Sequence, residues 1–346
     1  MEIIAGDIGG TKSWLAWVAG ADHASHQLRF ERRYLSADFP DGQSLLRQFM
    51  HDAGVAAPPD CLTLALPGVV DGGRATLTNL DWTLEAAALQ AALGIAEVRF
   101  MNDFQAAAAG VATLTGQDSL LLNPKPVEAG GVRAITGAGT GLGLAWMQAD
   151  ARGQYRTFAT EGGHVDFAPA NTQQARLLEF MRGELENAGK SGHVSWERLV
   201  SGLGMNGIYR FCLREMMGAV PQGASRSPCA VPPDITADGA RISALAAHDD
   251  PVACAALDLF TEMYGAWVGN VALLYQPRGG LYIAGGVAMH LRDRMQSPRF
   301  MAACEDKGRM RAVVERTPIF LIINQRLGVQ GAIQTAFNRK RARSGI

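Results

Sequence analysis

Short apolar runs alternate along this chain with longer stretches of helical period. Ile3-Ile4-Ala5 leads into a glycine-rich turn and Trp14-Leu15-Ala16-Trp17-Val18 leads out, which predicts a β-hairpin over residues 2–18. Residues 43–53 have apolar positions at helical spacing. Cys61-Leu62-Thr63-Leu64-Ala65-Leu66 is a continuous apolar run stopped by Pro67-Gly68, the pattern of a short buried strand. An alanine-rich helix is predicted over 84–93, with Gly94 as its C-terminal cap. Residues 97–101 read as a strand and 104–113 as the helix after it. This alternation predicts an α/β domain with parallel pairing.

A second α/β unit begins near Gly131. Val132-Arg133-Ala134-Ile135 runs into the glycine-dense segment 137–143, and Leu144-Ala145-Trp146-Met147 returns as a strand. Helical patterns follow at 172–186, 196–217, 242–247 and 251–276, while the proline-rich segment 221–233 reads as a loop. Residues 280–286 are a strand ending in a glycine pair, 318–323 a late strand and 328–338 a closing helix. The two glycine loops resemble each other only locally, which leaves a duplicated half open.

A length of 346 residues favours two domains or one large split one. With 48% hydrophobic and 19% charged residues, a packed globular protein is expected rather than a disordered one. The formal net charge of -1 gives no bulk electrostatic reason for nucleic acid or an anionic membrane as partner. The basic tail 338–343 reads as a solvated helix end. Cys61, Cys212, Cys229, Cys254 and Cys304 never fall at CxxC spacing, so neither a zinc knuckle nor a redox motif is supported. Free thiols fit a reducing compartment. No basic-then-apolar leader opens the chain and no apolar run approaches a membrane span, so the expected location is cytoplasmic, without a membrane partner.

The candidate chemistry starts at the first turn. Gly6, Asp7, Ile8, Gly9, Gly10 and Thr11 follow an apolar run, with Lys12 next. Glycines let backbone N–H groups approach an anion, and Thr11 adds a hydroxyl donor. Asp7 repels phosphate unless Mg²⁺ lies between them, directly or through water. The alternative is a tight hairpin held by an Asx-type turn. The second loop offers Gly139, Thr140 and neighbouring glycines. It matches neither G-x-G-x-x-G nor the Walker A pattern, so phosphate held here is held in neither of those two ways. Gly285-Gly286 either lets a nucleoside lie against the backbone or is a strand-end turn.

Asn102-Asp103 ends a predicted strand. Asp103 is placed to take a proton from a substrate hydroxyl as it attacks a phosphate, and Asn102 to hold a neighbouring hydroxyl; capping the next helix is the other reading. Glu161 and His164, in Glu161-Gly162-Gly163-His164, supply the paired donors and acceptors that sugar hydroxyls need. Glu197, in His193-Val194-Ser195-Trp196-Glu197, adds a carboxylate, although Ser195–Arg198 also looks like a helix start.

Taken together, GDIGGT, LPGVVDGGRATLTNLDW, FMNDFQAAA, ITGAGTGLGLA, EGGHVDFAP, GHVSWERLVSG, IAGGV and CEDKGRM resemble the bacterial glucokinase family, in the family's order from residue 6 to about 331. The resemblance implies a two-domain actin-like ATPase (ribonuclease H-like) α/β fold with a cleft between a small and a large domain. The small domain would take in 1–115 and 325–346, and the large one 116–324. It implies phosphoryl transfer from Mg-ATP to the 6-hydroxyl of D-glucose. Asp103 then looks like the catalytic base, and Asn102, Glu161, His164 and Glu197 like the residues that grip the other hydroxyls. Residues 6–11 look like the first ATP loop, with Asp7 near Mg²⁺ through water, Gly139-Thr140 like the second phosphate contact, and Gly285-Gly286 like the nucleoside neighbour. A homodimer is the family-based expectation.

The chain departs from the family in a small insertion at 187–192, next to the segment bearing Glu197, and in its basic tail. The ROK family of sugar kinases resembles the first loop, but its zinc-binding cysteine cluster cannot be made from the cysteines here. Two rivals keep the same parts: a kinase for another hexose such as mannose or an amino-sugar, and a non-catalytic sugar-responsive regulator.

Overall fold

The computed structural model describes residues 1–68, 70–77, 80–219 and 238–344. The proline-rich segment 221–233, Cys229, and Thr78-Asn79 of the family-like stretch lie outside them. The strands in chain order are β1 (Glu2–Ile8), β2 (Lys12–Ala19), β3 (Gln27–Leu35), β4 (Cys61–Leu66), β5 (Val70–Asp71), β6 (Arg74–Leu77) and β7 (Trp82–Glu85). They continue with β8 (Glu97–Asn102), β9 (Ser119–Asn123), β10 (Arg133–Ala138), β11 (Leu142–Ala149), β12 (Tyr155–Thr160), β13 (Leu281–Ala284) and β14 (Ile319–Ile322).

The first sheet has the order β3-β2-β1-β4-β8. β1 pairs antiparallel with β2, and β4 lies parallel to both β1 and β8. β4 is buried along its whole length, which its unbroken apolar run requires of a central parallel strand. β3 is the charged edge, QLRFERRYL, and charge there discourages pairing with another chain. The second sheet has the order β12-β11-β10-β13-β14-β9, with β10, β13 and β14 parallel. The sheets are mixed, the arrangement of an α/β protein.

Contacts divide the chain into two units: Met1–Ser119 with Ala145–Ala159 and Asn324–Ile346, and Leu120–Leu144 with Thr160–Ile323. In the first unit the closing helix Leu327–Ser344 lays Val329, Ala332, Ile333, Ala336 and Phe337 on Ile3, Ala5, Ala16, Val18 and Cys61. The helix Asp103–Gly110 packs against that same closing helix at Ala106, Gly110 and Gly331. In the second unit the helix Pro251–Tyr275 runs through the core, and Trp267, Tyr264 and Phe260 are all but fully enclosed. Asp250 accepts from the Ala253 N–H at 2.8 Å and Pro251 opens the helix, both strong start signals. No helix among the described residues is long and apolar enough to cross a membrane.

Several elements depart from the sequence reading. Leu84 and Glu85 belong to β7, and the helix starts at Ala86, still ending on a left-handed Gly94. β5, β6 and β7 form a small antiparallel sheet that the sequence pattern does not predict. Residues 196–201 are turns, and the helix predicted from 196 runs over Gly202–Ala219. Packing overrides propensity there, because the backbone of 194–197 is paired with 163–167. The glycine loop is also shorter than its glycine count suggests, since Gly137 lies in β10 and Gly143 in β11.

Candidate functional site

The predicted residues form two groups, one within each unit. In the first, β1 carries Gly6, Asp7 and Ile8, and only Gly9, Gly10 and Thr11 make the turn. The Ile8 side chain is fully buried, so it has only backbone to offer. The turn closes through the Gly9 N–H on the Lys12 carbonyl at 3.0 Å. Ser36, which nothing in the sequence singles out, braces it: its Oγ donates to the Gly9 carbonyl at 2.7 Å and its N–H to the Thr11 carbonyl at 3.1 Å.

β8 delivers Asn102 and Asp103 at its end. Asn102 Oδ1 accepts from the N–H groups of Phe104 at 3.0 Å and Gln105 at 3.1 Å, while its Nδ2 donates to the Gly68 carbonyl at 3.1 Å. Asp103 Oδ1 accepts from the Phe104 N–H at 2.8 Å. Asn102 therefore caps the helix, and the cap sets where the Asp103 carboxylate stands. That carboxylate acts on Asp7. Burial first, and the Asp103 charge second, push the Asp7 carboxyl up to about 7. A Cβ at Gly328 would collide with the Asp7 carboxylate, so the first turn of the closing helix packs directly on it. Two acids crowded in this way suit a hard divalent cation, which favours their charged forms together.

In the second unit, Gly139, Thr140 and Gly141 form the turn between β10 and β11. The Gly139 N–H donates to the Gly141 carbonyl at 2.8 Å, and the Gly139 carbonyl accepts from the Gly202 N–H at 2.8 Å, tying the start of a helix to the turn. The strand ends are held from behind. Ala138 N–H donates to Tyr264 Oη at 3.0 Å, Trp267 Nε1–H to Thr136 Oγ1 at 2.8 Å, and Thr136 Oγ1 to the Gly143 carbonyl at 2.8 Å. Gly285 follows β13 with φ of 97° and lies against the Ala138 carbonyl, which no side chain would tolerate. Gly286 faces open space. Thus Gly285-Gly286 and Gly139-Thr140 lie at the ends of adjacent parallel strands.

The remaining predicted residues gather on the exit from this turn. His164 Nε2 lies 4.0 Å from Glu161 Oε2 and 3.7 Å from Glu197 Oε1. Glu197 Oε2 accepts from the Leu142 N–H at 2.9 Å. The Glu197 N–H donates to the Gly163 carbonyl at 2.9 Å, joining the two segments that carry the three side chains. Two carboxylates and an imidazole, all partly solvated, offer donors and acceptors to a polyhydroxy ligand. His193, beside the predicted insertion, pairs with Asp166 at 2.7 Å and not with this group.

In the second unit Thr136, Tyr264, Trp267 and Leu142 are the supports that sequence reasoning missed, as Ser36 is in the first. Tyr264 and Trp267 read as ordinary core aromatics on a helix, and a backbone amide leaves no sequence signal. A cavity of about 850 Å³ elsewhere in the second unit is lined by Asn171, Arg299, Lys307 and Arg311 and by none of the predicted site residues.

Comparison with known proteins gives this geometry a family. The family model described as Glucokinase matches residues 4–339. A glucokinase of Synechocystis sp. is 35% identical over 349 residues, covering 96% of this chain and 97% of that protein. Among solved structures, glucokinase from an Antarctic psychrotroph superposes with a TM-score of 0.79 at 26% identity, covering 97% of this chain and 99% of that one. A ROK family glucokinase from Streptomyces griseus, solved with glucose and AMPPNP, shares the fold at a TM-score of 0.60 and 20% identity over 97% of this chain and 99% of that one. The fold is thus the one used by actin-like sugar kinases, and the chain itself belongs to the glucokinase family.

Proposed function

We propose that this protein transfers the terminal phosphoryl group of ATP to the 6-hydroxyl of D-glucose, giving glucose 6-phosphate and ADP, the first step of glycolysis. One observation carries the reading: Glu197, gathered with His164 and Glu161, is hydrogen-bonded to the backbone on the exit of a glycine turn. A polyol grip and a phosphate cradle in direct contact suit a reaction that joins a sugar to a phosphoryl group.

In this reading Asp103 accepts the proton of the 6-hydroxyl as its oxygen attacks the γ-phosphorus in line. Asn102, Glu161, His164 and Glu197 hold the other hydroxyls and fix which oxygen faces the phosphate. With the Gly9 and Gly139 N–H groups closing their turns, the N–H groups of Gly10, Thr11 and Thr140, with the hydroxyls of Thr11 and Thr140, receive phosphate oxygens. Gly285-Gly286 leaves room for the nucleoside. Asp7 would hold Mg²⁺, through water, and the ion when bound would neutralise charge on the phosphates. Residues 1–115 with 325–346 act as a small domain and 116–324 as a large one, closing a cleft on both substrates. Closure on the sugar keeps water from the γ-phosphate. The protein works in the cytoplasm, as a homodimer.

An assay coupled to ADP release over a panel of hexoses tests this. Glucose should give the highest kcat/KM, with mannose and amino-sugars lower. A higher kcat/KM for another hexose would reassign the substrate, and absence of turnover with every sugar would favour the regulator.

A further inference from the structure

Gly141 belongs to the phosphate turn, yet its nearest neighbour is a side chain of the sugar cluster. A Cβ built on Gly141 would stand 2.5 Å from Glu197 Oε2 and 3.2 Å from its Cδ. No carboxylate oxygen sits that close to an aliphatic carbon, so a side chain there must drive the Glu197 carboxylate away. The cost to the fold is small, because what must move is the tip of a flexible side chain rather than backbone. Gly139 differs: a Cβ on it would meet nothing within 4 Å. The turn therefore has one glycine that faces space and one that makes room for Glu197.

The space left by Gly141 admits a specific bond. Glu197 Oε2 takes the Leu142 N–H at 2.9 Å, and the other oxygen, Oε1, is turned toward His164 at 3.7 Å. One oxygen is anchored on backbone while the other is presented beside the imidazole. The same stretch of β11 also supports the other side of the cluster. Gly163 lies on the Leu142 carbonyl, and Thr160 Oγ1 donates to the Leu144 carbonyl at 3.2 Å while accepting from the Gly162 N–H at 3.0 Å. The sugar-facing side chains are thus mounted on the first residues after the phosphate turn.

We propose that Gly141 and the Leu142 amide are positioning residues for the sugar, orienting Glu197 so that the phosphate turn and the sugar cluster act as one body. This rests on Glu197 being a sugar contact, as proposed above. It makes a prediction that a phosphate role alone does not: altering Gly141 should weaken sugar binding with no nucleotide present.

The test is calorimetric titration of D-glucose into the full-length protein without nucleotide. Gly141→Ala should weaken affinity about tenfold or more, the usual scale for losing a hydrogen bond to a charged group. Gly139→Ala, on the same turn, should stay within about twofold. In a Glu197→Ala background, Gly141→Ala should have no further effect, the coupling expected of two residues that act through one contact. If Glu197→Ala alone leaves glucose affinity unchanged, the sugar assignment fails. If it weakens binding while Gly141→Ala does not, or if Gly141→Ala acts equally in both backgrounds, the positioning role is overturned and the assignment stands. Should Gly141→Ala fail to fold, adding Glu197→Ala removes the clash and should restore folding. A double variant that stays unfolded would also overturn the inference.

Discussion

At the centre of the first sheet β1 and β2 are joined by Gly9-Gly10-Thr11, and at the centre of the second β10 and β11 are joined by Gly139-Thr140-Gly141. The likeness extends beyond the turns, since β3-β2-β1-β4-β8 and β12-β11-β10-β13-β14 are the same order of strands. Two residues before the turn the chemistry diverges. The first sheet has Asp7, whose carboxyl meets the Asp103 charge and the first turn of the closing helix. The second has Gly137, pressed against the backbone of Ala284 in β13. One backbone device thus serves two ends. The first half puts an acid where a cation would be welcome, while the second gives up the side chain at that place and borrows Glu197 from another segment.

The contrast is tested most severely at Asp103. Asp103→Asn should lower kcat about 10²-fold or more with glucose affinity little changed, as expected for loss of a general base. Steady-state kinetics with glucose titration would show it, and near-normal turnover would remove Asp103 from the chemistry. Asp7 should show itself in stability. Its carboxyl loses its proton near 3.8 in a free chain and near 7 when folded, so the folded state binds the extra proton between those values. Stability of the metal-free protein should therefore fall as pH rises through that window, by up to about 4 kcal/mol at about 1.4 kcal/mol per pKa unit. The helix start beside Asp7 works against this and makes the figure an upper bound. Asp7→Asn should abolish the fall and be the more stable protein at pH 8. Parallel urea-stability curves for the two proteins from pH 4 to 8 would refute the assignment. Gly137→Ala should cost about 1–3 kcal/mol by urea unfolding, the range for overpacking a closed site. Gly139→Ala should stay within about 0.5 kcal/mol, as surface substitutions do. Equal losses would mean that Gly137 in β10 and Gly139 in the turn are not distinct in packing.

Much of the architecture is legible in short-range pattern. The first hairpin, the strand Cys61–Leu66 and the helix Pro251–Tyr275 are where apolar period and stop signals put them. The pattern fails where partners distant in sequence decide. Leu84 and Glu85 sit in an alanine-rich run, yet pair with Ala75 and Arg74 as strand. Residues 196–201 have a helical start signal, yet Trp196 and Glu197 are held by backbone bonds to Val165 and Gly163. Glycine spacing marks both turns, but it does not tell a glycine that approaches a ligand from one that lets two strands or a carboxylate close in.

Residue order alone is enough for the α/β class, the family and the kinds of side chain available, because turn chemistry, periodicity and motif order are local properties of the chain. The acidity of Asp7, the tie from Leu142 to Glu197, and the use of Gly137 and Gly141 for packing came into view only with the folded chain. Each depends on distances of a few ångströms between residues far apart in sequence, and electrostatic coupling, hydrogen bonding and steric exclusion all change sharply over such distances.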